Sequence, residues 1–336
     1  MTLIQFKFTT LFVLFSFLNA FTQDINIGIK NIDIPEYPRG DYVPFTNCQF
    51  KEVTKFRFYV ENRGADFNKS GKGIYGCVKI IRLSDNKLLL NEEKVLSFSG
   101  FTPGWFSFRF EAIDLSQPGL YEVSVESYIT NTSDKSFEPI DSDYSDNIIK
   151  YYNQVYDPET LEKGKSHFFD FDNIETKKDL ANLGWNFSYL PDSIRISKSG
   201  IAGSNALEFN LTKENNKRQV FTSPVHISEY VVMDFAFKLI DKNTGENITE
   251  ELMSNQGLTA QVSFQKLCSS GNLFRQDLSS VEVTPLEDGF YKFAEIIDYY
   301  SEDQPIRGRF DFINKSDYKD VLIVLENVII KPRDLK

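Results

Sequence analysis

The strongest constraint on this chain is a two-residue rhythm of apolar side chains. In residues 231–239, VVMDFAFKL, the positions Val231, Met233, Phe235, Phe237 and Leu239 alternate with a set that includes Asp234 and Lys238. A period of two puts one set on each side of a strand, so one face is expected to line a core and the other to stay wet. Thr222-Ser223-Pro224, just upstream, is expected to make the corner before this strand, because proline has no N–H for a ladder and stiffens a turn. The rhythm recurs at Phe56, Phe58 and Val60, at Phe106, Phe108 and Phe110, at Tyr121, Val123 and Val125, and at Val262 and Phe264. Residues 321–330 are nearly all apolar, the pattern of a strand covered on both faces. Turn chemistry separates the runs: Asn62-Arg63-Gly64, Asp85-Asn86-Lys87 leading into a strand at 88–90, Asn243-Thr244-Gly245, and a hairpin turn at Asp288-Gly289. Residues 175–183 read as one or two helical turns, and the rest of the periodic signal is strand. The chain is therefore expected to be all-β.

The length, 336 residues, suits two domains. Residues 1–22 read as a signal peptide. Lys7 supplies the positive start, residues 8–18 form an apolar stretch too short to span a bilayer, and Ala20 and Thr22 stand at the small-residue positions before a cut at Gln23. The expected division is a first domain at 23–156, a polar linker at 157–165 with Pro158 and Gly164, and a second domain at 166–336. An exported product follows, in the periplasm, at the cell surface or secreted. No membrane insertion is expected once the leader is gone, since the nearest later run, 321–330, is too short and contains Glu326 and Asn327.

The formal net charge is −11, and loss of the leader removes one further positive charge, Lys7. Such a surface repels phosphate backbones, which argues against nucleic acid and against anionic membranes as partners. Of the three cysteines, Cys48 and Cys77 fall on segments expected to neighbour each other. They form either a disulfide, which an exported chain permits, or two buried thiols. Cys268 is left over and expected to be buried and inert.

Several pieces of the first domain resemble the CARDB-type adhesion domains, an immunoglobulin-like family. They are Asp24-Ile25-Asn26-Ile27, the corner Val60-Glu61-Asn62-Arg63-Gly64, the turn Pro118-Gly119-Leu120-Tyr121, and Tyr144-Ser145-Asp146-Asn147 before the last strand. The long Cys48 region and the loop 130–143 depart from that pattern. In the second domain Phe169-Asp170-Phe171-Asp172, Gly184-Trp185, Ser199-Gly200, Ser204-Asn205-Ala206-Leu207 and residues 221–228, FTSPVHIS, are similar to jelly-roll domains of the MAM and choice-of-anchor type, and more loosely to carbohydrate-binding modules. The disulfides usual in that family are absent. The resemblances imply an immunoglobulin-like β-sandwich followed by a jelly-roll (concanavalin-like) β-sandwich, whose relatives bind glycans or proteins or space other domains.

Signatures of catalysis are missing from the sequence. Two histidines, His167 and His226, are too few for an imidazole zinc site, and no nucleophile elbow or phosphate loop occurs. The local pair for glycoside hydrolysis, Glu295 and Asp298, is spaced by three, which sends the two carboxylates to opposite faces of a regular strand. Asp170 and Asp172 share a face and, with Asn173, are the candidate ligands for a structural Ca²⁺, the set otherwise being a solvated edge. Exposed aromatics are the usual platforms for sugars, and Trp185, Tyr189, Tyr299 and Tyr300 are the candidates in the second domain, with Trp105 an outward aromatic on the first. The expectation is a secreted, non-catalytic binding or adhesion protein recognising an extracellular glycan or surface polymer. The alternatives are a carbohydrate-active enzyme with the jelly roll as its catalytic domain, and a structural part of a cell-surface protein assembly.

Overall fold

The computed structural model describes residues 26–33, 54–64, 71–97, 104–113, 117–137, 139, 141, 143–145, 147–188, 194–213, 216–227, 230–254, 257–266, 275–301, 303–315 and 320–333. The leader, Cys48, Tyr189 and Cys268 lie outside the described residues. Antiparallel sheets dominate, and no described helix is long and apolar enough to cross a membrane.

The first sandwich is made of β1 (Ile27–Asp33), β2 (Thr54–Asn62), β3 (Lys72–Arg82), β4 (Lys87–Ser97), β5 (Gly104–Ile113), β6 (Gly119–Asn131) and β7 (Ile148–Val155). They form a three-stranded sheet, β1-β2-β5, and a four-stranded sheet, β4-β3-β6-β7. The alternating residues meet between the sheets: Ile27, Phe56, Phe58, Val60, Phe108 and Phe110 from one, Ile74, Val78, Val123 and Val125 from the other. Phe58 stacks on Phe108 at 4.9 Å. Tyr121, at the start of β6, donates its hydroxyl to the carbonyl of Gln117, which ties the turn before the strand to the core. The strand expected at 88–90 is far longer. Its continuation, Asn91-Glu92-Glu93-Lys94, is charged because β4 is a sheet edge, where charge guards unpaired backbone groups.

The second sandwich contains β8 (His167–Phe169), α1 (Lys177–Asn182), β9 (Asn186–Ser188), β10 (Ile194–Ser197), β11 (Ala206–Leu211), β12 (Lys217–Val225), β13 (Tyr230–Asp241), α2 (Thr249–Ser254), β14 (Leu258–Lys266), β15 (Arg275–Asp277), β16 (Thr284–Pro285), β17 (Tyr291–Tyr300), β18 (Ile306–Asn314) and β19 (Val321–Pro332). One sheet runs β10-β11-β19-β13-β17-β16, with β8 also on β19, and the other runs β15-β14-β18-β12-β9. Both contribute to one core, in which Phe235 meets Phe293 from its own sheet and Phe310 from the other, each at 5.0 Å. Gly308 faces that core. A Cβ there would run into Met233 and Ile330 of the opposite sheet, so the absent side chain sets how closely the two sheets approach.

Two expectations are corrected here. Thr222-Ser223-Pro224 is not a corner. It continues β12 as a bulge, with the register slipping by one residue between Phe221 and Pro224. The bulge absorbs the proline's missing donor, and the Thr222 hydroxyl accepts the N–H of Gly308 at 2.9 Å. The second face of β13 is not wet. Val232, Asp234 and Ala236 are all buried: Ala236 joins Ala206, Phe290 and Val324 in a separate small cluster on the outer face of that sheet, and Asp234 accepts from Glu295 N and pairs with Lys331. The hairpin expected at Asp288-Gly289 is present between β16 and β17, with both residues at positive φ.

The segment between the sandwiches is pinned to the second one. Gly164 donates to the carbonyl of His226, and Lys163 reaches Asp303, which also bonds His226 Nε2 at 3.0 Å. The turn after α1 brings Gly184 against the ring of Tyr156, which follows β7.

Candidate functional site: the polar face of the five-stranded sheet

Residues 306–314, IRGRFDFIN, alternate strictly along β18. Ile306, Gly308, Phe310 and Phe312 face the core, which sends Arg307, Arg309 and Asp311 to the opposite side. Antiparallel pairing sets their neighbours in rows. Asp311 lies opposite Gln219 of β12 and Gln261 of β14, Arg309 opposite Phe221 and Ser263, and Arg307 opposite Pro224 and Gln265. Ser263 in turn faces Arg275 of β15, and Gln261 faces Asp277.

These side chains point away from the core and are nonetheless buried. Gln219 and Arg307 are 0% exposed and Asp311 is 4% exposed. Arg309 holds both oxygens of Asp311, Nε on Oδ2 and Nη2 on Oδ1, each at 2.8 Å. Gln219 donates Nε2 to Asp311 Oδ1 at 2.6 Å. Arg307 donates Nε to Gln265 Oε1 at 2.7 Å, with a second bond from Nη2 to the same oxygen. Its guanidinium lies 4.1 Å from the centroid of the Phe221 ring. One acceptor stays open: Gln219 Oε1 is buried and has no hydrogen-bond partner among the described residues. The floor of the array is enclosed, while its rim on the β15 side is accessible, with Gln261 and Asp277 half-buried and Arg275 exposed.

Burying a charge pair costs several kcal/mol per ion before the mutual attraction offsets it, and an apolar replacement is often at least as stable. Two guanidiniums, a carboxylate and two amides on one covered face are therefore poorly explained by stability. Amides and a carboxylate flanked by planar donors are what recognises a molecule rich in hydroxyl groups.

The opposite outer face, on the sheet containing β13, behaves differently. Glu208 and Glu326 share that face on adjacent strands, β11 and β19. Both are committed to one loop. Glu326 accepts from Ile201 N at 2.7 Å and from the Ser204 hydroxyl. Burial pushes the Glu208 carboxyl up, but hydrogen bonds from Ser197, Ser199 and Arg195 outweigh it and hold it below its ordinary range. Lys238 lies over the Phe290 ring at 4.3 Å and is pushed down by burial against the opposing pull of Asp288, Glu326 and Glu208. This face is a fastening for residues 200–205 and 286–290.

The sequence-derived candidates are not brought together. Trp185, expected as an exposed platform, is 1% exposed and packs edge-on against Phe169 and Phe171, at 5.4 and 5.2 Å; a ring inside the core has no face for a sugar. Tyr189 is outside the described residues. Tyr299 is described only through its backbone, opposite Val231, and Tyr300 is exposed and packs against Tyr230 at 5.4 Å, at the end of β17. Asp170, Asp172 and Asn173 are exposed, and the Asp172 carboxylate accepts from Asn205 N at 3.0 Å. Among the described residues no three His, Cys, Asp or Glu side chains gather as a metal group would. Glu295 sits at a bulge with φ 52°, its N–H donating to Asp234, so the strand is not regular between it and Asp298, whose side chain is not described. Cys77 is a free, half-buried thiol on β3. The array itself went unread in the sequence, although its signal was there in the alternation of Arg307, Arg309 and Asp311 with Phe310 and Phe312.

No family model and no curated protein matches the chain. Among solved structures it is distantly similar to β-sandwich carbohydrate-binding modules. A tandem pair of family 22 modules from Paenibacillus barcinonensis is 10% identical over 92% of this chain and 97% of that one, with a TM-score of 0.30. A family 27 module from Caldicellulosiruptor saccharolyticus, solved with mannohexaose, is 15% identical over 51% of this chain and 98% of that one, with a TM-score of 0.32. Likeness at this level assigns no residue and no ligand here.

Proposed function

We propose that the chain is a non-catalytic glycan-binding protein whose recognition surface is the polar face formed by β12, β18 and β14. The observation that carries this reading is the row Gln219, Asp311, Gln261 and Asp277, hydrogen-bonded and enclosed at its β12 end and accessible at its β15 end. A sugar hydroxyl is both donor and acceptor, so it suits the amide of Gln261, the guanidinium of Arg275 and the carboxylate of Asp277 together. The accessible rim at Gln261, Arg275 and Asp277 is the side from which a chain end enters.

The non-catalytic half of the reading is supported by the state of the carboxylates. Glycoside hydrolysis needs two carboxyl groups with different protonation roles on either side of one bond. Asp311 is neutralised by Arg309, and Glu208 and Glu326 hold a loop.

The finer architecture follows in the same spirit. The order β1-β2-β5 against β4-β3-β6-β7, with the Tyr121 hydroxyl closing back onto Gln117, supports an immunoglobulin-like first domain acting as a spacer or adhesion unit. The second sandwich is read as a jelly roll. An array of extracellular glycans probed with the full chain, with analysis of released products, tests the reading. Retention without product is expected. Released sugars favour an enzyme, and no response to any glycan favours a protein-binding surface.

A further inference from the structure

We infer that the first sandwich holds a divalent cation, Ca²⁺ by its donor chemistry, where the loop leading into β7 meets the start of β1, with Asp141, Asp143, Asn147 and Asn26 supplying the oxygens. Asp141 anchors the cluster and is 7% exposed. Among the described residues its carboxylate accepts only from uncharged nitrogens: Oδ1 from Ile27 N at 3.4 Å and Asp143 N at 3.2 Å, Oδ2 from Asn147 Nδ2 at 3.0 Å. All three bonds are longer than the roughly 2.7–2.9 Å of a well-compensated carboxylate. Burial raises the Asp141 carboxyl above its ordinary range against those donors, and Asp143 adds to the rise. A second observation is independent of the acidic pair. Asn147 is 3% exposed, its amide lies against Asp141, and its Oδ1 is buried with no hydrogen-bond partner among the described residues. Asn26, whose neighbour Ile27 donates to Asp141, has a side-chain oxygen in the same condition.

Buried polar atoms are almost always satisfied, so two orphaned amide oxygens beside a buried carboxylate point to a missing partner. A half-turn of the Asn147 amide exchanges its nitrogen and oxygen and leaves Oδ1 facing Asp141 Oδ2 across the same 3.0 Å. Two oxygens so close repel unless a cation lies between them, and that spacing is the one neighbouring oxygens keep when each is about 2.4 Å from a single Ca²⁺. Asp143 brings the second negative charge. The Ser145 hydroxyl and N–H hold its carboxyl below the ordinary range, with a smaller contribution from Arg63. An all-oxygen set suits a hard cation rather than zinc or copper. The loop is also held in place. Asn147 O accepts from Ser127 N at 2.9 Å, and the Tyr144 hydroxyl accepts the Asp141 N–H at 3.1 Å. The Tyr144 ring packs on Phe137, which lies edge-on to Tyr128 of β6. Two carboxylates and two amides fall short of the six to eight oxygens that Ca²⁺ takes, so water completes the shell and Kd is expected on the order of 10⁻⁴–10⁻³ M.

Calorimetric titration of the full chain with Ca²⁺, together with thermal melts in EDTA and in Ca²⁺, tests the inference. At a tenfold excess of Ca²⁺ over Kd, the melting of the first sandwich should rise by about 5 °C. Asp141→Asn should abolish binding. Asp143→Asn changes an exposed side chain and decides the matter if the first variant does not fold; it should weaken binding about tenfold with an unchanged Tm in EDTA. Absence of both heat and a Tm shift in Ca²⁺ overturns the inference, as does binding that is unchanged in Asp143→Asn. Binding lost only in Asp172→Asn places the ion on the second sandwich and overturns it as well. None of these residues belongs to β12, β14 or β18, so either result leaves the glycan reading of that face to its own test.

Discussion

Gln219 and Asp311 lie opposite each other on β12 and β18 and share a 2.6 Å hydrogen bond, under a guanidinium that grips the same carboxylate from two residues back. Three polar groups are thus locked together on a covered face, with one acceptor left open. The first prediction separates what this cluster does for stability from what it does for binding. Arg309→Met alone leaves a buried carboxylate without its partner and should cost about 3–5 kcal/mol. Replacing all three residues with apolar ones (Gln219→Leu, Arg309→Met, Asp311→Leu) should leave Tm unchanged or higher and abolish glycan retention. A triple variant that still binds contradicts the assignment.

Trp185 distinguishes a core side chain from a sugar platform. Its ring is wedged between Phe169 and Phe171, so Trp185→Ala should cost about 3–5 kcal/mol, visible in chemical denaturation. Trp185→Phe should cost less, and the fraction that remains folded should keep its full affinity for glycan. A loss of affinity in a stable Trp185→Phe protein would return the residue to the binding site.

Gly184 is held at φ +88°, and a Cβ there would lie 2.5 Å from the Tyr156 hydroxyl. Gly184→Ala should therefore lower stability by about 1–3 kcal/mol. It should also open the junction between the sandwiches to limited proteolysis. Equal cleavage rates in variant and wild type would show that this contact does not hold the junction.

Glu208 gives a pH dependence with a definite sign. Its carboxyl is held below the ordinary 4.5 by Ser197, Ser199 and Arg195, against the upward push of burial. A depressed folded pKa means the contribution is present in full above the unfolded value and is lost as pH falls through the folded one. Tm should drop on acidification below the ordinary glutamate range, and Glu208→Gln should flatten that drop while lowering Tm at neutrality. Superimposable curves for the two proteins contradict the account.

Much of the core was legible, because the inward set of each strand is written in a period of two. Phe56, Phe58 and Val60, or Met233, Phe235 and Phe237, could have been assigned to their face from spacing alone. What covers the other face was not legible. Ala236 is buried under Phe290, with Ile201 and Leu286 packed on the same cluster, and no local pattern announces a cover supplied from elsewhere. Pro224 misled for a related reason, since a bulge tolerates a proline as well as a corner does, and only the register with Arg307 tells them apart. The site was missed because it is assembled across strands. Gln219, Gln261 and Asp311 are far apart in sequence and become neighbours only through pairing.

The most direct test is hydrogen exchange on the full chain, with and without a glycan retained on the array. The account predicts that protection rises in β12, β14 and β18, around Gln219, Gln261 and Asp311, and that this change is absent from the triple variant. Protection confined to other strands, with β12 and β18 unchanged, would contradict it.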